Sequence, residues 1–236
     1  MTTPVQTVQS TQVSAATSCP CTITASLGGP LIVLCPVGMS GSAVSWAVTD
    51  NRGNTYVKRA DTGGSAGGGF VEAMIWDCLS PGTGVTTITL TPTGKTANGT
   101  ITVVEMPAGS ILGFDQAGFH GQTTPADGPI VVTASAPDTN AGDFVFACMC
   151  EQGNGVGDNP TDPPSGFTHL SVTTNGNTLA NEWCWRTNSG IVTDSASWTW
   201  SNGPTNAAAA IVSYVPAGGG PAAQVSSLSS MNLGPG

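Results

Sequence analysis

An internal repeat is the feature of this sequence that most limits the folds open to it. In the first copy, Ile23-Thr-Ala-Ser is followed by Gly29-Pro-Leu-Ile-Val-Leu-Cys. In the second copy, Val132-Thr-Ala-Ser is followed by Gly142-Asp-Phe-Val-Phe-Ala-Cys. Because a solenoid requires at least about three repeats, two copies are expected to combine into a single body.

Later segments continue the repeat in the same order. They are Gly53-Asn-Thr-Tyr with Gly166-Phe-Thr-His, Glu72-Ala-Met-Ile-Trp-Asp-Cys with Leu179-Ala-Asn-Glu-Trp-Cys, and Val103-Val-Glu-Met with Ile211-Val-Ser-Tyr. The pattern predicts a duplication that covers about residues 22–106 and 130–215. The residues between the copies are interpreted as a linker.

Short runs of Val, Ile, Thr, Phe and Trp, separated by Gly, Pro, Asn and Asp, predict β-strands almost throughout. The predicted strands are Thr22–Ala25, Leu31–Cys35, Val44–Thr49, Thr55–Ala60, Val71–Leu79, Thr86–Thr91, Thr100–Glu105, Ile130–Ser135, Asp143–Glu151, Thr168–Thr173, Leu179–Thr187, Ala196–Trp200 and Ala207–Val215. With the repeat, they predict an all-β fold: a jelly-roll-like, two-sheet β-sandwich built from two duplicated halves, spanning residues 19–216. Two tandem Ig-like sandwiches are the alternative. Residues 1–18 are predicted to form an N-terminal arm and residues 217–236 a flexible C-terminal tail.

The scarcity of charge excludes several classes of function. The 236 residues contain 5 Lys plus Arg and 14 Asp plus Glu, so the formal net charge is −9. Such a chain offers no basic surface to a nucleic acid or an anionic membrane. Acid–base and electrostatic catalysis also depend on ionisable groups, so we expect a protein that is not an enzyme. The N-terminus lacks the basic and apolar regions of a signal peptide, which favours assembly in a cytoplasm over secretion.

Seven cysteines permit three interpretations. Cys19 with Cys21, and Cys148 with Cys150, form C-x-C pairs whose side chains share one strand face, so neither pair is expected to bridge internally. The thiols are interpreted first as small apolar core residues, then as disulfides, and last as metal ligands. If bridges form, the repeat predicts Cys35–Cys78 and Cys148–Cys184.

No motif is specific enough to assign a catalytic, cofactor or metal site. Ser65 lies in a G-x-S-x-G match without the strand–turn–helix context of a nucleophile elbow. The turn at residues 50–54 and the segment 158–162 contain oxygen ligands but lack the spacing of a calcium loop. His120 and His169 are isolated. The remaining candidates are strand carboxylates that could flank a cleft, namely Glu72, Glu105, Glu151 and Glu182.

Four tryptophans near the C-terminus allow two interpretations. They occur as pairs spaced i, i+2, so each pair presents one face of a strand: Trp183 with Trp185, and Trp198 with Trp200. Exposed, such a stripe could stack on sugar rings; buried, it is one wall of the core. The core interpretation is favoured.

Several of these segments resemble a loosely defined family of bacteriophage structural β-sandwich proteins, also seen in bacterial surface proteins. They are Val48-Thr-Asp-Asn-Arg-Gly-Asn-Thr-Tyr, Ile75-Trp, Gly84-Val-Thr-Thr-Ile-Thr, Gly142-Asp and Gly166-Phe-Thr. The resemblance implies a non-enzymatic virion protein, as a capsid decoration or head–tail accessory subunit, with a major capsid or tail protein as partner. A homo-oligomer such as a trimer is expected, because accessory proteins occupy symmetric lattices. The alternative is a carbohydrate- or cell-surface-binding module, secreted or surface-bound, with a glycan ligand.

Overall fold

The structure is a computed structural model whose described residues are 2–39, 45–63, 71–123, 129–152, 164–175, 179–199 and 206–218. Every regular element in these ranges is a β-strand, which confirms the predicted all-β class. Within the same ranges, no helix has the length and hydropathy needed to cross a membrane.

Seventeen strands are present in the described residues. They are β1 Gln6–Gln9, β2 Val13–Ala16, β3 Cys19–Thr22, β4 Leu31–Met39, β5 Trp46–Asp50, β6 Val57–Asp61, β7 Val71–Cys78, β8 Thr87–Pro92, β9 Ala97–Gly99, β10 Thr102–Glu105, β11 Ile111–Thr123, β12 Ile130–Thr133, β13 Phe144–Gln152, β14 Thr168–Asn175, β15 Leu179–Thr187, β16 Ser195–Trp198 and β17 Asn206–Pro216. Each of the thirteen predicted strands overlaps one of these elements. The structure adds β1, β2, β9 and β11.

The two halves of the chain build large sheets with the same strand order. In the first half the order is β1-β10-β4-β7-β6, with β9 also paired to β4 and β2 to β9. In the second half it is β11-β17-β13-β15-β14. A small sheet accompanies each large one, β3-β8-β5 in the first half and β12-β16 in the second. This shared order is what the duplication predicts.

Each half also has a core of its own beside the core that the halves share. The two large sheets pack face to face around a shared core that includes Leu34, Ile75, Phe146, Trp183 and Tyr214. The opposite face of each large sheet packs on its small sheet, which forms a first core around Trp76 and a second core around Trp198. The predicted two-sheet sandwich is therefore present, and the small sheets add an outer layer on each side.

Burial on both faces explains why the central strands read as continuous apolar runs. In β13, Phe144 and Phe146 face the shared core, whereas Val145 and Ala147 face the second core. Because successive side chains of a strand point to opposite faces, a strand between two cores needs apolar residues at both its odd and its even positions. Such central strands are fixed in place by both cores.

Residues 1–18, the predicted N-terminal arm, contain the strands β1 and β2. β1 pairs with β10, with Gln6 opposite Glu105, and β2 pairs with β9. These residues are extended, as predicted, but they lie on the chain's own first large sheet. The predicted linker between the repeats contains β11, the thirteen-residue edge strand of the second large sheet. Of the predicted tail, residues 219–236 lie outside the described residues.

The repeat alignment holds at one strand and slips by one residue at another. Val103 and Ile211 each face the core of their own half, as aligned. Cys35 also faces the first core, but Cys148 faces the shared core, so these two cysteines are not equivalent. A shift of one residue reverses the face that a side chain occupies.

The predicted disulfides Cys35–Cys78 and Cys148–Cys184 are wrong. In the β4–β7 ladder Cys78 lies opposite Leu31, four residues from Cys35, which separates the two thiols by roughly 13 Å along the strand. A disulfide requires Cα atoms within about 7 Å. Cys148 and Cys184 lie on opposite faces of the second large sheet. All seven cysteines are free and buried, as the packing interpretation expects.

Candidate functional site

The four strand carboxylates singled out in the sequence do not flank a cleft. All four are buried within the sheets, with at most 2 % of the residue exposed: Glu72, Glu105, Glu151 and Glu182. Glu72 accepts a hydrogen bond from Trp46 Nε1 at 2.7 Å. Burial and a hydrogen bond with Asp61 raise the pKa of Glu72 to about 8. This carboxyl is a protonated, internally bonded group at neutral pH.

The tryptophans that the structure describes are core residues. Trp183 and Trp185 share one face of β15, as their spacing predicts, and both lie in the shared core. Trp198 is fully buried in the second core, and Trp200 lies outside the described residues. The exposed stripe on which a sugar-binding surface would depend is therefore not formed by these three side chains.

The turn at residues 50–54 is a plain β-turn with a saturated carboxylate. Asp50 accepts hydrogen bonds from Arg52 N, Asn54 N, Asn54 Nδ2 and the Tyr56 hydroxyl, at 2.7 to 3.1 Å. Gly53 takes the positive φ of 75° that the turn needs. Both histidines are exposed, whereas Ser65 and the segment 158–162 lie outside the described residues.

Three aspartates that sequence reasoning did not single out converge at one end of the second half. Asp115, Asp138 and Asp143 form what we call the acidic cluster. One carboxylate oxygen from each residue lies within 4.8 Å of the other two. Asp138 and Asp143 are buried, and Asp115 is half-buried.

Each member of the acidic cluster is positioned by a separate element. Asp115 lies in a β-bulge of β11, where the pairing with β17 shifts between Phe114 and Ala117. Bulges redirect side chains in this way, and here Thr139 N and Oγ1 fix the carboxylate at 2.7 and 3.0 Å. Asp143 directly precedes β13, where its carbonyl accepts a 2.9 Å hydrogen bond from Asn188 N.

Asp138 and its neighbour Asp194 are joined through one amide. Asn188 Nδ2 donates to a carboxylate oxygen of Asp138 and, at 2.9 Å, to Oδ1 of Asp194. Arg186 forms an ion pair with Asp194, which is fully buried. Four aspartates therefore lie together in this region, and the guanidinium of Arg186 is paired with one of them.

The carboxylate of Asp143 has no donor in the described part of the chain. Asp143 is 0 % exposed, and no N–H or hydroxyl group among the described residues donates to its oxygens; the one side chain that shares a hydrogen bond with it is another carboxyl, Asp115, which requires a proton between the two groups. Burial and the neighbouring Asp115 carboxylate raise the pKa of Asp143 to about 8. Burial and Asp194 likewise raise the pKa of Asp138 to about 7. The arrangement favours either a retained proton or a bound cation.

The ligand types in the acidic cluster suit a hard cation. Carboxylate oxygens bind Ca²⁺, Mg²⁺ and Mn²⁺, whereas zinc sites use Cys and His. The only signal in the sequence is Asp143, which follows the glycine that begins the repeat landmark. Its partners lie 5 and 28 residues away and meet it only through strand pairing. No local motif could have revealed the set.

Comparison of the chain with protein-family models, with curated proteins and with solved structures finds no match. The site is therefore interpreted from its own chemistry.

Proposed function

We propose that this chain is a non-enzymatic structural protein of a bacteriophage virion, acting as a capsid decoration or head–tail accessory subunit. The observation that carries the proposal is the long edge strand β11 of the second large sheet. It has thirteen residues and exposes two large apolar side chains, Leu112 at 68 % and Phe119 at 62 %. Exposed apolar edge strands recruit further chains, and a lattice subunit needs such an edge.

The distribution of charge supports the same proposal. Two of the buried acids, Glu72 and Glu105, are hydrogen-bonded inside the sheets. A surface cleft of about 280 Å³ contains no ionisable side chain; it is lined by Gln9, Ser10, Thr11, Gln12, Val13, Pro20 and Thr22. Uncharged surfaces cost little to desolvate when subunits pack together.

The oligomeric state of the purified chain tests this proposal. We expect a homo-oligomer by size-exclusion chromatography with light scattering, and a trimer is the expected size. Phe119→Asp places a charge on the β11 edge and should dissociate the oligomer, whereas Val57→Asp, on the exposed part of β6, should not.

Two outcomes would contradict the proposal. One is a wild-type chain that stays monomeric at high concentration, and the other is a Phe119→Asp variant with an unchanged mass. Mass spectrometry of density-purified phage particles provides the second test, because a virion subunit must be found in them. A chain confined to the medium or cell surface, with binding on a glycan array, would instead support the carbohydrate-binding alternative.

A further inference from the structure

We propose that the acidic cluster of Asp115, Asp138 and Asp143 is a binding site for a divalent cation of the calcium type. The cation would tie the connection between β12 and β13 to the bulge of β11. This inference does not depend on the proposed virion role.

The carboxylate of Asp143 is buried without a counter-ion in the described residues. A buried carboxylate without a donor or counter-ion is strongly unfavourable, so such groups are normally hydrogen-bonded or paired, or they coordinate a metal. The first half follows this rule: Glu105 accepts three hydrogen bonds, and Asp77 pairs with Arg59. Asp143 has no such donor or counter-ion in the described residues, and the one group that shares a hydrogen bond with it is the carboxyl of Asp115.

The spacing of the oxygens is compatible with a single ion. Calcium binds oxygen at 2.3–2.6 Å, so two ligands on opposite sides of one ion are about 5 Å apart. The cluster's three oxygens lie within 4.8 Å of one another and could therefore contact a single ion.

The ligand types favour one class of cation. The cluster consists of carboxylates alone, which disfavours the soft and imidazole-preferring metals. Its ligands come from a strand bulge, a connecting segment and a strand start, and calcium tolerates irregular sets of this kind. Magnesium requires near-ideal octahedral geometry and keeps several waters. Calcium is therefore the expected occupant, and neutralising the carboxylates would remove the repulsion among them.

The experiment uses the full chain, stripped with EDTA and then titrated with calcium chloride at neutral pH and physiological salt. We expect one saturable site per chain by isothermal titration calorimetry. Because the ion binds only the folded state, the Tm should rise by about 5 °C or more at saturating calcium. Magnesium and manganese, titrated separately, should bind more weakly.

Asp143→Asn is the decisive variant. Asparagine has nearly the same volume and no charge, so this chain should fold, with a Tm in EDTA at least equal to that of the wild type. Its calcium affinity should fall by about tenfold or more, and Asp115→Asn should act in the same direction. Asp50→Asn removes an equal charge from the saturated turn of the first half, and this control should keep the full calcium response.

Two results would overturn the proposal. If calcium, magnesium and manganese produce neither binding heat nor a Tm shift, the cluster holds a proton instead of an ion. If calcium binds but its affinity is unchanged in both Asp143→Asn and Asp115→Asn, the ion binds elsewhere on the chain.

Discussion

Glu105 in β10 and Ser213 in β17 occupy matching positions in the two halves. Each follows a residue of the shared core, Val104 or Val212, and points toward the core of its own half. Glu105 accepts hydrogen bonds from Gln6 Nε2, Leu27 N and Gly29 N at 2.6, 2.7 and 3.3 Å. Ser213 Oγ accepts one, from Gln116 N at 3.2 Å.

The comparison shows how duplicated sheets can keep one strand order and still differ in their buried polar groups. In the first half, a strand carboxylate binds the backbone N–H groups of the following loop. In the second half, buried strand carboxylates are also present, as Glu151 and Glu182, but Asp138 and Asp143 come from a connecting loop and a strand start and lie close together. Strand order depends on apolar packing, whereas each buried charge needs its own partner. The buried polar groups can therefore differ between the two halves while the strand order stays the same.

The largest effect is expected from removing the satisfied carboxylate. Glu105→Ala leaves the buried N–H of Gly29 and the partly buried N–H of Leu27 without their acceptor, which should lower the free energy of unfolding by about 3 kcal/mol. Ser213→Ala is the matched change in the second half and should cost less, about 1 to 2 kcal/mol, because it removes the hydrogen bond from Gln116 N and the one to the Asp138 carboxyl. Urea denaturation measures both. An equal loss of unfolding free energy in the two variants would show that Glu105 and Ser213 contribute equally to stability.

A pH-dependent effect is expected from the carboxyl of Glu72. Its pKa rises from 4.5 to about 8 on folding, so the folded state binds the proton more tightly than the unfolded state. The resulting stability is complete below about pH 4.5 and is lost as the pH rises through about 8. The groups around Glu72 are Asp61, Lys58, Trp46 and Cys35.

Glu72→Gln provides the test, because glutamine stays neutral across this range. Between pH 5 and 8, thermal denaturation should show the wild type losing stability relative to the variant. If the difference in Tm between the wild type and Glu72→Gln does not change with pH, or changes in the opposite direction, Glu72 is not protonated in the folded state.

The smallest effect is expected from reduction. Because the strand register separates Cys35 from Cys78, and Cys148 from Cys184, a reducing agent should leave the Tm unchanged. In denaturant without reductant, alkylation followed by mass spectrometry should modify all seven thiols. Fewer modified thiols, with the rest released by reduction, would mean that the register differs from the one described here.

Apolar periodicity carried most of the fold prediction. The run in β13 and the Val/Ile-rich end of β17 are strong signals because they are buried on both faces. β11 carried a weak signal, because Gly113, Gly118 and Gly121 interrupt its apolar pattern. Gly118 is required there: a Cβ at this position would lie 2.0 Å from the carbonyl oxygen of Thr133. The close approach that explains this glycine also hides the strand from sequence reasoning.

The candidate site could not be predicted from local sequence. Asp50 lies in the segment with the most calcium-like spacing, and four nearby donors saturate it. Asp115 looked like part of a linker, and its role depends on a bulge that only pairing with β17 reveals. Whether an acidic residue keeps a donor is decided by neighbours far away in the chain.

The sequence by itself determined the all-β class, most of the strand positions and the core role of the cysteines, because these follow from side-chain volume, polarity and period. Only the tertiary structure decided which face each residue occupies, as the one-residue slip between Cys35 and Cys148 shows. It also brought Asp115, Asp138 and Asp143 together. Strand formation depends on local periodicity, whereas register and charge pairing depend on contacts between strands that are distant in sequence.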